Sequence, residues 1–378
     1  MIATGILGGL ACLSLLLLLW QWLAGRRFTL HQRAPSSSFA PGVSLLKPLK
    51  GCEAATEECL RSWLVQEYGG PVQFLFAVAS ADDPVCRLVQ KLLKEFPGKD
   101  ARLVICGPLE GVNLKISRLM QIEGLSQHEL LVVSDADVMV SPDFLKNAVL
   151  PLQSPDVGLV NCFYRLANPA TLAMQWEAVA INADFWSQVL QSRALKRLDF
   201  ALGAVMIIRR RQLAETGGFG ALADCLADDY QLGNRLARRG LIIALSPLVV
   251  ECWSDTMGWP EVWKHQLRWA RTIRVCQPAP YFFSILSNST LWPLLWLVIK
   301  PGQGVLAFAL LCWIVRLTTA LNLQRRLTQH RAPWCWLWLV ALKDLLQAAL
   351  WGLAFMGNRV EWRGEKMRLR RDGTLKPL

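Results

Sequence analysis

Long apolar stretches are the feature that most constrains what this chain can fold into. Four occur, at residues 2–23, 281–299, 304–321 and 334–356. None lies between Arg26 and Gln277. About 20 apolar residues suffice to cross the hydrocarbon core of a bilayer as a helix. The sequence therefore predicts an integral, multi-pass membrane protein with a water-soluble domain between an N-terminal anchor and a C-terminal membrane bundle.

The first apolar stretch has a second interpretation, a cleaved signal peptide. Signal peptides carry positive charge before a shorter apolar core and a small-residue cleavage site after it. Here the charges, Arg26 and Arg27, follow the core. This order favours a retained transmembrane anchor.

Positive charge is concentrated near the end of the chain. The formal net charge is +12, and about nine of these charges lie beyond Gln277. Basic segments beside spanning helices are typical of the cytoplasmic side, so we expect the soluble domain on the cytosolic face. Nucleic-acid binding would require a basic stripe on the soluble domain, which is nearly neutral, so a nucleic-acid partner is excluded.

These patterns give six regions. We expect an anchor at residues 1–25, a linker at 26–41, an α/β domain at 42–254, an amphipathic interfacial segment at 255–277, a transmembrane bundle at 278–358 and a basic tail at 359–378. Within the α/β domain, short apolar runs at 43–48, 73–79, 101–105 and 130–134 predict strands. Helical spacing at 56–66 and 84–96 lies between them. This alternation predicts a mainly parallel sheet with helices on both faces.

Polar residues follow the predicted strands where a ligand of an open α/β sheet normally binds. The first strand leads into Lys47 to Gly51, the second into Asp83, and the fourth into Asp135 and Asp137. Two carboxylates at positions i and i+2 can share Mg²⁺ or Mn²⁺, which would neutralise a diphosphate leaving group.

A second acidic pair, Asp228 and Asp229, permits two interpretations. It is compatible with the first turn of an exposed helix, where acidic residues are favoured. It is equally compatible with a general base that accepts a proton from an attacking hydroxyl. Farther along, residues 259–274 mix Trp with Lys and Arg, which suits a helix at a membrane surface or a grip on phosphates.

Six motifs in order resemble ceramide glucosyltransferases and related bacterial lipid glycosyltransferases, including the hopanoid N-acetylglucosaminyltransferases. They are Val43-Ser-Leu-Leu-Lys-Pro-Leu-Lys-Gly51, Asp82-Asp-Pro84, Val112-Asn-Leu-Lys115, Ser134-Asp-Ala-Asp137, Asp228-Asp-Tyr230 and His265-Gln-Leu-Arg-Trp269, with a tail similarity at Trp362-Arg-Gly. The resemblance covers nearly the whole chain. It implies a GT-A type domain and an inverting transfer from a UDP-sugar to a lipid hydroxyl.

The resemblance also implies roles for individual residues. Asp229 falls on the catalytic base. The other implied contacts are Lys47, Asp83, Lys115, Asp135 and Arg268 for the sugar donor, His265, Arg268 and Trp269 for the diphosphate and acceptor, and Asp135 with Asp137 for Mg²⁺ or Mn²⁺. Position 265 departs from the family pattern, because His stands where the family has Gln or Arg.

Several alternatives remain open at the level of sequence. Glucose and N-acetylglucosamine are both compatible, as are ceramide, hopanoid and diacylglycerol acceptors. A processive polysaccharide synthase shares the acidic motifs and the Arg-Trp pair, and a non-catalytic membrane scaffold is a candidate from another class. Residues 281–299 are the candidate for an interfacial or re-entrant segment. Arg316 and Asp344, inside apolar stretches, either pair or extend toward helix ends. The sequence leaves the oligomeric state open.

Overall fold

The computed structural model describes residues 2–34, 38–108, 110–362 and 365–378. Part of the predicted linker and the Arg-Gly of the Trp362-Arg-Gly similarity lie outside these ranges. The strands are β1 Val43–Pro48, β2 Val72–Val78, β3 Asp100–Ile105, β4 Leu130–Ser134, β5 Val138–Met139, β6 Val157–Leu166, β7 Val205–Arg209, β8 Ile242–Cys252, β9 Arg359–Trp362, β10 Glu365–Leu369 and β11 Leu375–Pro377.

The helices follow in chain order. They are α1 Ile2–Arg27, α2 Thr56–Leu64, α3 Val85–Glu95, α4 Leu114–Glu123, α5 Phe144–Ala148, α6 Leu172–Ala178, α7 Trp186–Leu195, α8 Arg210–Glu215, α9 Asp228–Arg238, α10 Trp259–Cys276, α11 Pro278–Phe283, α12 Leu291–Ile299, α13 Gln303–Thr328 and α14 Trp336–Phe355. A π-helical segment, Val179–Phe185, joins α6 to α7.

An eight-stranded sheet forms the centre of the soluble domain. Its strand order is β3-β2-β1-β4-β7-β6-β8-β5. The first four strands in this order are parallel, and β7 enters antiparallel between β4 and β6. β1 and β4 are buried at every position, because both faces of the sheet are covered by helices. The predicted α/β sheet is therefore confirmed as a mostly parallel, mixed sheet.

Among the described residues, three helices are long and apolar enough to cross a membrane, α1, α13 and α14, and the bent pair α11–α12 is a fourth candidate. The bent pair turns by 54°. The predicted segment at 281–299 is thus broken, as Ser, Asn and Pro within it suggested.

α1 and α13 lie side by side in the same direction. Near their C-terminal ends, the Trp22 indole donates to Asn322 (3.0 Å), and Arg326 donates to the carbonyl of Phe28 (3.0 Å). Near their N-terminal ends, α12 fills the space between them, with Trp296 against Gly8 of α1 and Phe308 of α13. The bent pair therefore carries the chain from the soluble domain to the far end of α1, and α13 returns it.

α14, by contrast, stays at the domain end. Trp336 at its start donates to Gln175 of α6 (3.0 Å), and Phe355 at its end lies under the guanidinium of Arg274 of α10 (5.6 Å). Both ends of α14 thus contact parts of the chain that belong to, or directly follow, the soluble domain.

The basic tail forms a three-stranded antiparallel sheet, which the sequence interpretation did not anticipate. β10 lies between β9 and β11. Cys225 pairs with Thr374 through an isolated bridge, and Leu226 donates its N–H to the carbonyl of Gly373 (3.2 Å). The tail therefore lies on the same side of the molecule as the soluble domain.

A cluster of buried charges joins the helices beneath the domain. Arg316 contacts Asp344 (2.8 Å) and Asp184 of the π-helical segment (2.8 Å). Lys343 contacts both carboxylates, and Thr290 donates to Asp344 (2.6 Å). This confirms the contact between Arg316 and Asp344 that was considered from the sequence. Buried ionisable groups persist where they are paired.

Candidate active site

Lys47 fixes the loop that follows β4 from below. Its side chain is fully buried, and its ammonium donates to Ser134 Oγ (3.1 Å) and to the carbonyl of Asp135 (2.6 Å). Burial lowers the pKa of Lys47 to about 8. The predicted role of Lys47 in binding the sugar donor stays a prediction, whereas its observed contacts support the backbone of the Asp-x-Asp motif.

Lys115 joins the two acidic motifs. Its ammonium lies 2.8 Å from Asp135 Oδ1 and 3.3 Å from Asp228 Oδ2. Burial by itself would lower the pKa of Lys115, but the charges of Asp135 and Asp228 outweigh it and hold that pKa above its usual value. The structure thus brings together motifs more than 90 positions apart in the sequence.

Asn113 holds Lys115 and the second acidic motif in register. Its side-chain oxygen accepts from the N–H of Lys115 (3.1 Å) and so caps α4. Its amide nitrogen donates to the carbonyl of Cys225 (2.9 Å) and lies 3.4 Å from Asp228 Oδ1. Asn113 belongs to the motif Val112-Asn-Leu-Lys115, for which only Lys115 had a predicted role. An Asn before an apolar helical run is nevertheless a recognisable capping signal.

Asp229 lies in the first turn of α9, beside the loop that precedes β7. Its Oδ1 accepts from the N–H of Tyr230 (2.7 Å). Burial, followed by repulsion from Asp228, raises the pKa of Asp229 to about 7. A Cβ atom at Gly203 would lie 2.8 Å from Asp229 Oδ2, so glycine at this position leaves room for the carboxylate. A carboxylate with a pKa near neutral is suited to accept a proton.

Asp83 ties the ends of β1 and β2 together. Its carboxylate accepts from the N–H of Gly51 (3.0 Å) and from the N–H of Val85 (3.1 Å) at the start of α3. Gly51 has φ = 73°, a left-handed conformation that glycine adopts without strain. Asp83 therefore shapes the loop that follows β1.

Asp137 lines a cleft between the loop after β1 and the loop after β4. Trp253 also lines this cleft. Burial, followed by repulsion from Asp135, raises the pKa of Asp137 to about 7. Asp135 thus lies close enough to Asp137 for their repulsion to disfavour the charged form of Asp137.

The donor set is compatible with a divalent cation. Nowhere in the ranges that the structure describes do three or more His, Cys, Asp or Glu side chains converge into a metal site. Mg²⁺ usually takes only one or two protein carboxylates and completes its shell with water and substrate phosphates. Asp135 and Asp137 supply two such carboxylates at the end of a rigid strand.

His265 and Trp269 lie on one side of α10, next to a buried acid that the sequence analysis missed. Glu177, 1% exposed, lies 2.6 Å from His265 Nδ1 and also accepts from the Gln266 amide (2.8 Å). The imidazole meets the Trp269 ring edge to face at 4.9 Å. The signal for Glu177 in the sequence was a single charged residue within the mostly apolar helix α6.

Trp269 connects α10 to the carboxylates. It packs against Tyr164 (6.5 Å between ring centroids) and Phe185 (6.0 Å). Burial raises the pKa of Tyr164 well above its usual value, and the charges of Asp229 and Asp135 add to the rise. Tyr164 therefore packs against Trp269 and lies within electrostatic range of Asp229 and Asp135.

Arg268 faces a different surface. It lines a groove between α10 and the tail sheet, together with Lys264, Arg271 and Lys366. The structure thus separates Arg268 from Trp269, its neighbour in the motif, and the implied contact of Arg268 with the diphosphate remains a prediction.

The chain matches a known protein family over nearly its whole length. The family model described as Glycosyl transferase family 21 matches residues 7–375. The chain belongs to this family. Ceramide glucosyltransferase 3 of Caenorhabditis elegans is 26% identical over 227 residues, which cover 59% of this chain and 49% of that protein. A beta-monoglucosyldiacylglycerol synthase of Nostoc sp. is 25% identical over 307 residues, covering 80% of this chain and 62% of that protein.

The chain spans about half the length of the first curated relatives it matches. Among solved structures, a mannosyltransferase of Pyrobaculum calidifontis in complex with GDP-Man and Mn²⁺ matches with a TM-score of 0.56. The match covers 91% of this chain and 99% of that chain at 19% identity, which shows the fold. The family and the GT-A type fold expected from the sequence are confirmed.

Proposed function

We propose that this family 21 member is an inverting glycosyltransferase that moves a sugar from a UDP-sugar to the hydroxyl of a membrane lipid. The observation that carries the proposal is the convergence of Asp135, Asp228 and Asp229 around Lys115 at the carboxyl ends of the central strands. This is the edge at which α/β sheets bind their ligands. The relatives named above, a ceramide and a diacylglycerol enzyme, support a lipid acceptor.

The sugar donor would bind across the loops after β1, β2 and β4. Asp83 and Gly51 would border the uracil, and Lys115 would approach the phosphates from its position beside Asp135. Asp135 and Asp137 would hold a Mg²⁺ or Mn²⁺ ion, which when bound supplies positive charge to the diphosphate leaving group.

Asp229 would act as the general base. With a pKa of about 7 it is partly ionised near neutral pH and can still take a proton from an alcohol in the transition state. The hydroxyl oxygen would then attack the anomeric carbon on the side opposite UDP, giving a β-glycoside from an α-linked donor. Gly203 keeps the carboxylate of Asp229 unobstructed.

The acceptor would approach along the aromatic residues on α10. Trp269, Phe185 and Tyr164 pack against one another, and Tyr164 lies within electrostatic range of Asp229. A lipid headgroup is itself amphiphilic, so an aromatic path that ends at a base suits a hydroxyl carried on an apolar tail. His265, held by Glu177, would position Trp269 on this path.

The membrane arrangement follows from the contacts among the helices. We propose that α1, the bent pair α11–α12 and α13 cross the bilayer and that α14 lies along its interface on the cytosolic side. This assigns the interfacial segment to α14 instead of residues 281–299, because both ends of α14 contact the domain side. Soluble domain and basic tail would then share the cytosolic face, as the positive charge of the tail favours.

Product analysis tests the proposed function directly. Purified full-length protein, Mn²⁺ and a panel of UDP-sugars are incubated with ceramide, a polyhydroxylated hopanoid or diacylglycerol, and the lipids are analysed by mass spectrometry. We expect one glycolipid whose mass names both substrates and which is absent with Asp229→Asn. A polymer as product would instead identify a polysaccharide synthase. The absence of both transfer and donor hydrolysis would support a non-catalytic scaffold.

A further inference from the structure

The outer face of the C-terminal sheet carries a row of like charges. Arg368 in β10 lies directly opposite Arg359 of β9 on one side and Lys376 of β11 on the other. All three are exposed. Within the part of the chain that the structure describes, none of the three forms a salt bridge with a carboxylate. Like charges directly opposite each other destabilise a sheet, so this row needs a negative partner.

Alternation along β10 keeps the row on the outside. Met367 and Leu369 point inward and form a small buried core with Val360, Leu375 and Leu226. Lys366 and Arg370, which flank Arg368 at alternate positions, are exposed on its face. We call the outward cations Arg359, Lys366, Arg368, Arg370 and Lys376 the tail face, on which one acid, Glu361, lies directly opposite Lys366.

Cations of α10 extend the tail face. Arg359 and Lys366 line the groove that also contains Lys264, Arg268 and Arg271 of α10. Arg271 donates to the carbonyl of Arg359, which fixes the edge of the sheet against the helix. The only carboxylate side chain in the lining, that of Glu361, is paired with Lys264 (3.2 Å). The positive charge of the groove therefore exceeds its negative charge.

Exposed aromatic residues border this basic surface. Three residues separate the end of α14 from the start of the sheet, and Arg274 reaches from α10 to Asn358 just before β9. Phe282 and Phe283 at the start of the bent pair are 52% and 59% exposed. Phe282 contacts Trp351 of α14 (6.1 Å). Aromatic rings beside cationic side chains are typical of the headgroup layer of a bilayer.

We infer that the tail face binds the phosphates of anionic membrane lipids. Three adjacent strands present their cations at one level, and each Lys or Arg near an anionic bilayer contributes about 1 kcal/mol of attraction. Guanidinium groups add bidentate hydrogen bonds to phosphate. Nucleic acids and acidic proteins are anionic too, but the exposed phenylalanines beside the sheet belong to the bent pair, a candidate membrane segment, which favours a lipid. The inference requires the chain to be in a membrane and is independent of the transfer reaction.

The experiment counts bound lipids on the intact protein. Full-length protein in detergent is titrated with phosphatidylglycerol or phosphatidylcholine, and bound lipid is measured by native mass spectrometry at two salt concentrations. The test variant is Arg359→Gln/Arg368→Gln/Lys376→Gln. The matched control, Lys94→Gln/Lys99→Gln/Arg102→Gln, removes three exposed cations around α3 and β3.

We expect wild type and control to prefer phosphatidylglycerol at least tenfold, with a preference that falls as salt rises. The test variant should bind phosphatidylglycerol roughly 100-fold more weakly, since three attractions of about 1 kcal/mol each are removed. Its unfolding temperature without lipid should equal or exceed that of wild type, because the mutations remove repulsion. This second readout separates lost binding from misfolding.

Two results would overturn the inference. One is equal binding of phosphatidylglycerol by wild type and the test variant. The other is a short oligonucleotide that displaces phosphatidylglycerol at a lower concentration than the lipid requires, which would reassign the tail face to nucleic acid. Neither outcome depends on whether the protein transfers a sugar.

Discussion

Within the part of the chain that the structure describes, an interhelical cluster of charges and the cluster in the candidate site differ in their balance of acids and bases. The interhelical cluster contains two acids and two bases, Asp184, Asp344, Arg316 and Lys343. The site cluster contains four acids and two bases, Asp135, Asp137, Asp228, Asp229, Lys47 and Lys115. The first cluster is neutral by itself, whereas the second lacks two positive charges.

The difference indicates what each cluster does. In the interhelical cluster every charge has an opposite partner, so its stabilising effect is exerted on the packing of the π-helical segment, α13 and α14. In the site cluster, burial, followed by repulsion from a neighbouring carboxylate, raises the pKa of Asp137 and Asp229 to about 7. A divalent cation would supply the missing positive charge. A cluster with equal numbers of acids and bases is typical of a structural role, whereas carboxylates with a strongly raised pKa are typical of a functional site.

The largest effect expected is the loss of transfer in Asp229→Asn. The amide keeps the size of the carboxylate but cannot accept the proton, so turnover should fall about 10³-fold, within the range for general bases. UDP-sugar affinity, measured by calorimetry, should change little. The thermal unfolding temperature should not fall, because the substitution relieves repulsion from Asp228. Unchanged turnover would exclude Asp229 as the base.

The interhelical cluster should respond in the opposite way. Asp344→Asn removes a partner from Arg316 and leaves two cations facing Asp184 alone, which should destabilise the protein by about 3 kcal/mol. Turnover per folded molecule should be retained. The comparison is with Asp156→Asn on the exposed surface, and the measurement is thermal unfolding in detergent. Equal unfolding temperatures for the two variants would show that the cluster is not stabilising.

Of the two clusters, only the site cluster could largely be predicted from the sequence. Asp83, Asp135 and Asp137 follow strands whose apolar runs are short and clear, so a ligand-binding edge was predictable. Asp184 was not predictable, because its partner Arg316 is 132 positions away and only packing brings them together. Lys47 was expected to face the sugar donor, yet a lysine in a buried strand end can also support the next strand from inside.

The tail shows a second reason for failure. Met367 and Leu369 alternate with Lys366, Arg368 and Arg370, which is the period of a strand. The high positive charge drew attention instead, and the segment was predicted only as a basic tail. The contact of the tail with the loop before Asp229 depends on the fold and has no local signal.

The pH dependence of transfer should reflect the imbalance in the site. Because Asp229 must be ionised to accept a proton, protonation below its pKa of about 7 removes activity. At saturating UDP-sugar, the single-turnover rate should fall about tenfold per pH unit below 7 and level off above it. A rate that stays constant between pH 5.5 and 8 would show that this group does not limit transfer.

A smaller effect is expected from crowding the base. In Gly203→Ala the added Cβ would lie 2.8 Å from Asp229 Oδ2, so the carboxylate must shift by a few tenths of an ångström. Transfer should slow by up to about tenfold, since catalysis is sensitive to such displacements. Gly98→Ala, whose Cβ would meet no atom within 4 Å, is the control. Equal rates in the two variants would contradict the tight placement of Asp229.

The most direct test of the account is calorimetric titration of UDP-sugar into the purified protein with and without Mn²⁺. The missing positive charge in the site cluster predicts that binding requires the cation and is lost in Asp135→Asn/Asp137→Asn. Equal affinity without Mn²⁺, or in the double variant with it, would contradict the claim that the unbalanced carboxylates hold a cation for the sugar donor.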